Sequence, residues 1–235
     1  MFYSSRKLSA TIHYDWNVAN YPFDRHVLLV EMEDAGNDAD ALVFLPDTTN
    51  TRFDENIKLE GWKVTNLSLT ARKNVYNTTF GDPQLPDGGS TYSRLVLAIS
   101  IERESSISFW KLTAGVYAAF LLSLLGFFYD TAQTSLMSPR SGILVGSLFA
   151  AIVNMRAAEG VLGRAEGLTL VDKIHVLTIF FIIVGSLATV VSRVLVERGR
   201  QKQALRLDRG VLFPLSLVIF IIVNIVLVWQ ASYRG

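Results

Sequence analysis

The chain has no cysteine among its 235 residues, so it can build neither a disulfide framework nor a thiolate metal site. Its three histidines, His13, His26 and His175, are scattered along the sequence, which argues against a metal centre. No phosphate loop, no metal-spaced histidine pair and no nucleophile elbow is present, so neither an enzyme nor a bound cofactor is expected. Residues 1–108 carry 10 Lys/Arg against 15 Asp/Glu. Without a basic stripe, a nucleic-acid partner is not expected. Met1 to Ala10 lacks the apolar core of a signal peptide.

What is present in excess is apolar residues, half of the chain, with a mean hydropathy of +0.33. That composition points to a membrane protein. From Lys7 to Glu102 the pattern is one of short strands separated by turn formers. Segments 8–16, 26–33, 41–46, 62–71 and 91–102 predict strands, several alternating apolar and polar residues as half-buried strands do. After Ser108 four apolar segments follow, 109–129, 141–158, 174–196 and 210–232, each close to the ~20 residues that cross a hydrocarbon core. The loops at about 130–140 and 193–209 hold Arg140, Arg193, Arg198, Arg200, Lys202, Arg206 and Arg209, whereas the loop between the second and third segments holds Arg156, Arg164 and Lys173. The positive-inside bias therefore predicts the β-rich part and both termini outside, in a multi-pass protein of the cell membrane. A translocated domain with no leader in front of it predicts processing or a start upstream of Met1.

Three motifs carry a family resemblance. Tyr21-Pro22-Phe23-Asp24, within DWNVANYPFDRHVLL, resembles the signature loop of the pentameric ligand-gated (Cys-loop) channels. ISIERE, residues 99–104, is similar to the strand of that family that runs directly into the first membrane helix, with Arg103 as its arginine. Asp208, Arg209, Phe213, Pro214, Asn224 and Trp229 fall in the order typical of the family's last helix. The cysteines that bracket the loop in eukaryotic members are replaced by Tyr14 and Leu28, and the loop before the last helix is short. Both features resemble the prokaryotic branch. The resemblance implies a partial extracellular β-sandwich (1–108, the second half of the ligand-binding domain, the first half missing) followed by a four-helix transmembrane bundle (109–235). It implies a homopentamer in membrane lipid, opened by a small-molecule ligand or protons, that passes ions.

Within that frame, each constellation has an alternative. Asp24 and Arg103, with Tyr21, Pro22 and Phe23, are expected to couple the β-domain to the pore, or else to form a structural ion pair. The second apolar segment is expected to line the pore. At 3.6 residues per turn, Gly142, Gly146, Phe149, Val153 and Arg156 share one face, with an apolar constriction at Phe149 and Val153 where dewetting gates the pore. Alternatively, Gly142 and Gly146 form a small-residue helix-packing face. Arg140 at the inner mouth, with no carboxylate beside it, favours anions, unless it is an ordinary interfacial arginine. Tyr76, Phe80 and Tyr92, around the hairpin loop 72–91, are candidates for holding a cationic ligand over their rings, or for packing the hairpin alone. A non-conducting receptor or scaffold on the same fold is the alternative function.

Overall fold

A computed structural model describes residues 3–54, 56, 59–81, 89–104, 107–162 and 167–234. The chain divides into two compact units, one of residues 1–16 and 25–104, the other of residues 17–24 and 105–235.

Among the described residues the first unit holds one three-stranded antiparallel sheet in the order β1-β3-β2, with β1 at Arg25–Glu33, β2 at Trp62–Tyr76 and β3 at Ser90–Arg103. The register pairs Glu33 and Arg72 with Arg94, and Trp62 with Arg103. Because side chains alternate between faces, Glu31, Glu33, Arg72, Tyr76, Tyr92 and Arg94 share one face. His26, Ile101, Trp62 and Arg103 share the other. A bulge at Thr65 shifts the β2 register between Val64 and Asn66.

The expected sandwich is corrected to this single sheet, because segments 8–16 and 41–46 are not strands. A strand needs a neighbour's ladder, and both segments make other contacts instead. Ala41 and Leu42 donate to the Asp38 carbonyl, and the Phe44 amide donates to the Ser93 hydroxyl at 2.9 Å. Tyr14 and Trp16 instead pack ring edges against His26, at 5.8 and 4.8 Å between centroids. β2 runs five residues beyond its expected end, so much of the 72–91 hairpin is ladder. Residues 82–88 at its centre lie outside the described residues.

The second unit is helical: α1 (Ile107–Leu125), a 3-10 turn at Gly126–Phe128, α2 (Thr134–Leu162), α3 (Leu170–Glu197), α4 (Gln201–Leu205), a π-helical stretch at Arg206–Leu212 and α5 (Phe213–Arg234). Among the described residues four helices are long and apolar enough to cross a membrane, over Ile107–Phe128, Thr134–Val161, Leu170–Glu197 and Gln201–Tyr233. The chain thus has the make-up of a multi-pass membrane protein. α2 starts seven residues before its expected first residue, 141, with Pro139 inside its second turn. A proline there forfeits one backbone bond rather than ending the helix. α3 opens on a capping box, with Thr169 and Asp172 each bonding the other's backbone amide.

The π stretch has a local cause. Pro214 cannot bond the Gly210 carbonyl and its ring crowds that turn, so the backbone widens just before it. Since lipid is as apolar as leucine, helices in a bilayer associate through close packing and polar contacts rather than through hydrophobic burial. Both are found here. Leu144 fills the space over Gly126 and Gly185, at 3.6 and 3.5 Å from where their Cβ atoms would stand. Phe120 stacks on Phe220 at 3.7 Å between centroids, and the Tyr117 hydroxyl donates to Asn224 at 3.1 Å.

Candidate functional site

α2 has two unlike sides. Leu144, Ser147, Ala151 and Ala158 are buried against the other helices. On the opposite side Gly142, Gly146, Phe149, Val153 and Arg156 are all exposed, so the face expected from helical phase is a real surface of the chain. Phe149 is 69% exposed. Leu148, one position away, packs against the bundle core. A Cβ at Gly142 or Gly146 would meet no atom within 4 Å. The two glycines therefore pack on no other helix among the described residues.

The exposed sides of α2 and α5 differ in chemistry. On α5 it is Leu215, Val218, Ile222, Ile225 and Trp229, the bulky aliphatic surface that lipid solvates. On α2 the apolar residues alternate with Ser138, Ser141, Gly142, Gly146, Ala150 and Ala157, a surface poor in the methylene groups that lipid contact favours.

Arg140 is corrected. Its side chain is 1% exposed and turns into the bundle, away from the face of Gly142 and Phe149. The helical phase explains this, since Arg140 is one turn from buried Leu144. The guanidinium donates to both carboxylate oxygens of Asp208, at 2.6 and 3.3 Å, to the Thr189 hydroxyl at 2.9 Å and to the Tyr129 carbonyl at 3.2 Å. Ser192 donates to the same carboxylate at 2.7 Å. The widened turn before Pro214 aims Asp208 inward. Of the α2 charges, Arg156 stays outside, 78% exposed, and pairs with Glu159 at 2.9 Å.

A second polar contact lies nearer the other end of α2. His175 of α3 is fully buried; Nδ1 donates to the Val171 carbonyl at 2.8 Å and Nε2 lies 2.9 Å from Asn154 Oδ1. The Asn154 amide in turn fits against Gly115 of α1, where a Cβ would stand 2.6 Å from Nδ2. Neither this triad nor Asp208 was singled out in the sequence for a polar contact with α2. An asparagine and a histidine in otherwise apolar segments were the available signal.

The loop 17–24 belongs to the helical unit. Tyr21 is buried with Ala158 and Val171, the Leu170 amide donates to the Ala19 carbonyl at 3.0 Å, and Phe23 meets Phe109 at 5.9 Å between ring centroids. Pro22, which follows a cis bond, and Asp24 are buried as well. Arg103, in the sheet unit, holds its guanidinium 4.1 Å from the centre of the Trp62 ring. Of the outer linker, residues 163–166, Arg164 included, lie outside the described residues.

Tyr76, Phe80 and Tyr92 come together, with ring centroids 5.0, 5.9 and 6.2 Å apart and near-perpendicular planes. Phe80 holds a left-handed backbone, φ 52°, with its ring exposed. Beside the trio, Arg94 bonds Glu33 at 2.8 Å, Glu31 at 2.8 Å and the Tyr76 hydroxyl at 2.7 Å. Burial pushes the Glu33 carboxyl up, but bonds from Tyr76 and Arg94 outweigh it and hold the group below 4.5. The same bond to Glu33 raises Arg94.

No protein-family model matches the sequence, and no curated protein matches it.

Proposed function

We propose that the chain is a subunit of an ion channel of the pentameric ligand-gated type, with several copies, five in that family, arranged around α2. The observation that carries this reading is the exposed face of α2. Gly142, Gly146, Phe149, Val153 and Arg156 lie exposed on one side of an apolar span, with small and hydroxyl residues around them. A span that exposes Arg156 needs an aqueous or polar surround for it, which a lumen shared between copies supplies.

Five Phe149 rings form the narrowest apolar girdle on that face and close the path by dewetting. With Arg140 neutralised by Asp208, the preference for anions rests on Arg156 at the outer mouth, tempered by Glu159. The extracellular trigger, a small molecule or protons, acts on the sheet unit, where the aromatic trio Tyr76, Phe80 and Tyr92 is the candidate cradle. Asp24 and Arg103 are the candidate gating residues.

Purified protein in planar bilayers is expected to give discrete unitary currents whose reversal potential follows the chloride gradient, and Arg156→Ala is expected to weaken that dependence. Absence of conductance from protein shown to be a folded oligomer would contradict the channel reading. A second reading has its own support. The open Gly142–Gly146 strip fits the close approach of a helix from another copy, which would make a non-conducting receptor or scaffold. That reading requires oligomers without unitary currents.

A further inference from the structure

β2 is an edge strand. Among the described residues it pairs with β3 alone, so its other edge carries peptide groups with no ladder. The chain that leads into β2 does not fill that edge. The Asp54 carboxylate accepts from the Asn56 amide at 3.0 Å and from the Asn56 side chain at 2.9 Å, which makes a turn where a strand could have run. Gly61, with φ 78°, turns the chain again, and the Trp62 amide donates to the Leu59 carbonyl at 3.1 Å. The Gly61 carbonyl accepts from the Glu104 amide at 3.1 Å, which ties this turn to the end of β3. The result is an open groove of about 870 Å³, lined by Arg52, Phe53 and Leu59 of the incoming chain and by residues 62–67 of β2.

The lining combines two chemistries. Phe53, Val64 and Leu67 are half-buried and Leu59 is exposed, so water reaches an apolar surface there. Trp62 is a fixed wall, because Arg103 lies over its ring at 4.1 Å and Trp16 stands 5.3 Å away between centroids. The rest is cationic. Arg52 and Lys63 are exposed and have no ion-pair partner among the described residues, against the single carboxylate of Glu104 in the described lining. The bulge adds polar groups. Thr65 stands opposite no residue of β3, and Asn66 beside it is exposed. A pairing strand needs regular spacing, which the bulge interrupts, so the groove suits a small molecule better than an extended peptide. Its volume is in the range that encloses one. Apolar surface beside two unpaired cations matches an apolar body with one anionic end, whose oxygens a guanidinium fork takes two at a time.

We infer that this groove binds small amphipathic organic anions, an aryl or alkyl body ending in a sulfonate or carboxylate. From Asn66 to Tyr76 is about 33 Å of strand at 3.3 Å per residue, so the groove is separate from the Tyr76, Phe80 and Tyr92 cluster. The inference does not rest on ion conduction. Naphthalenesulfonate is the probe, with the whole protein in nanodiscs and the uptake of empty nanodiscs subtracted. Equilibrium dialysis is expected to give a Kd on the order of 0.1 mM. The neutral naphthalenesulfonamide is expected to bind ~tenfold more weakly or worse. R52Q/K63Q changes two exposed side chains without ion-pair partners among the described residues, and is expected to lose ~tenfold or more. R52K/K63R keeps both charges and is expected to stay within about threefold of the parent. Location is read from single cysteines, since the chain has none of its own. Saturating naphthalenesulfonate is expected to slow modification of Asn66→Cys by a charged thiol reagent. It is expected to leave Asn77→Cys, exposed just beyond the far end of β2, unaffected. No saturable binding to the folded parent would overturn the inference and leave the groove to an extended peptide. Equal binding of the sulfonamide would overturn it, as would unchanged binding in R52Q/K63Q or a loss as large in R52K/K63R. So would no slowing at Asn66→Cys, or equal slowing at both cysteines.

Discussion

Removing the Asp208 carboxylate is expected to be among the most damaging single changes in the helical unit. Its partner Arg140 is 1% exposed and Asp208 2%, so neither charge has water to fall back on. Asp208→Ala strips Arg140 of both carboxylate bonds, leaves Thr189 and the Tyr129 carbonyl as its remaining acceptors, and deprives the Ser192 hydroxyl of its acceptor. Breaking one side of a buried pair costs ~3–5 kcal/mol, because the survivor is left charged in a poorly polarisable medium. Arg140→Met leaves the carboxylate stranded in the same way, at a similar cost. If the two sites were independent, the double variant would lose about 6–10 kcal/mol, the sum of those figures. Because the loss is the stranded charge itself, Arg140→Met with Asp208→Ala is expected to cost no more than either single change. Unfolding in mixed micelles of rising denaturing-detergent content, followed by tryptophan fluorescence, gives all four corners of the cycle. Singles that each cost under ~1 kcal/mol, or a double equal to their sum, would refute the reasoning.

Phe149→Ser is expected to raise resting conductance by hydrating the girdle, whereas Leu148→Ser, on the packed side, is expected to destabilise the bundle instead. Bilayer currents and unfolding midpoints measured together separate the two outcomes, and the reverse assignment would show that the phase of α2 is wrong. Gly115→Ala places a methyl 2.6 Å from Asn154 Nδ2, so the amide must leave His175. A loss of ~1–3 kcal/mol is expected, most of it relieved when Asn154→Ala is added, and an additive pair in the same unfolding assay would contradict the contact. For Glu33 the folded pKa lies below 4.5 through Tyr76 and Arg94. The unfolded chain therefore binds the proton first, and the contribution of Glu33 is complete above that value and lost as pH falls through the folded pKa. Melting curves of Glu33→Gln are expected to match the parent at low pH and to lie below it at neutral pH. A constant offset at all pH values would contradict this.

The four spans were legible because length and apolarity alone decide them, and their order survives in the structure. The face of α2 was legible for the same reason, since a helix of known phase fixes which residues share a side. Arg140 shows the limit of that argument. Phase places it one turn from Leu144, but which side is covered depends on Asp208, 68 residues away, and on a turn widened by Pro214. No local pattern carries such a contact. The strands at 8–16 and 41–46 failed in the opposite sense. Segment 8–16 does alternate and 41–46 is an apolar run, but either creates a strand only where a ladder partner exists, and the Asp38 carbonyl, the Ser93 hydroxyl and the His26 ring offered other contacts in its place. Tyr76, Phe80 and Tyr92 were named from composition around a hairpin, and their assembly into one cluster follows from the β2–β3 register and the left-handed turn at Phe80.

Because the chain has no cysteine, single cysteines can be placed without background. The most direct test of a shared lumen along α2 is modification of Gly142→Cys, Gly146→Cys, Phe149→Cys and Val153→Cys by a charged, water-soluble thiol reagent in proteoliposomes, compared with Val218→Cys and Ile222→Cys on the exposed side of α5. Rapid labelling of the α2 set, with a change in current as each adduct forms, and slow labelling of the α5 pair are expected. Equal, slow labelling of both sets would mean that α2 faces lipid or protein, and would contradict the channel.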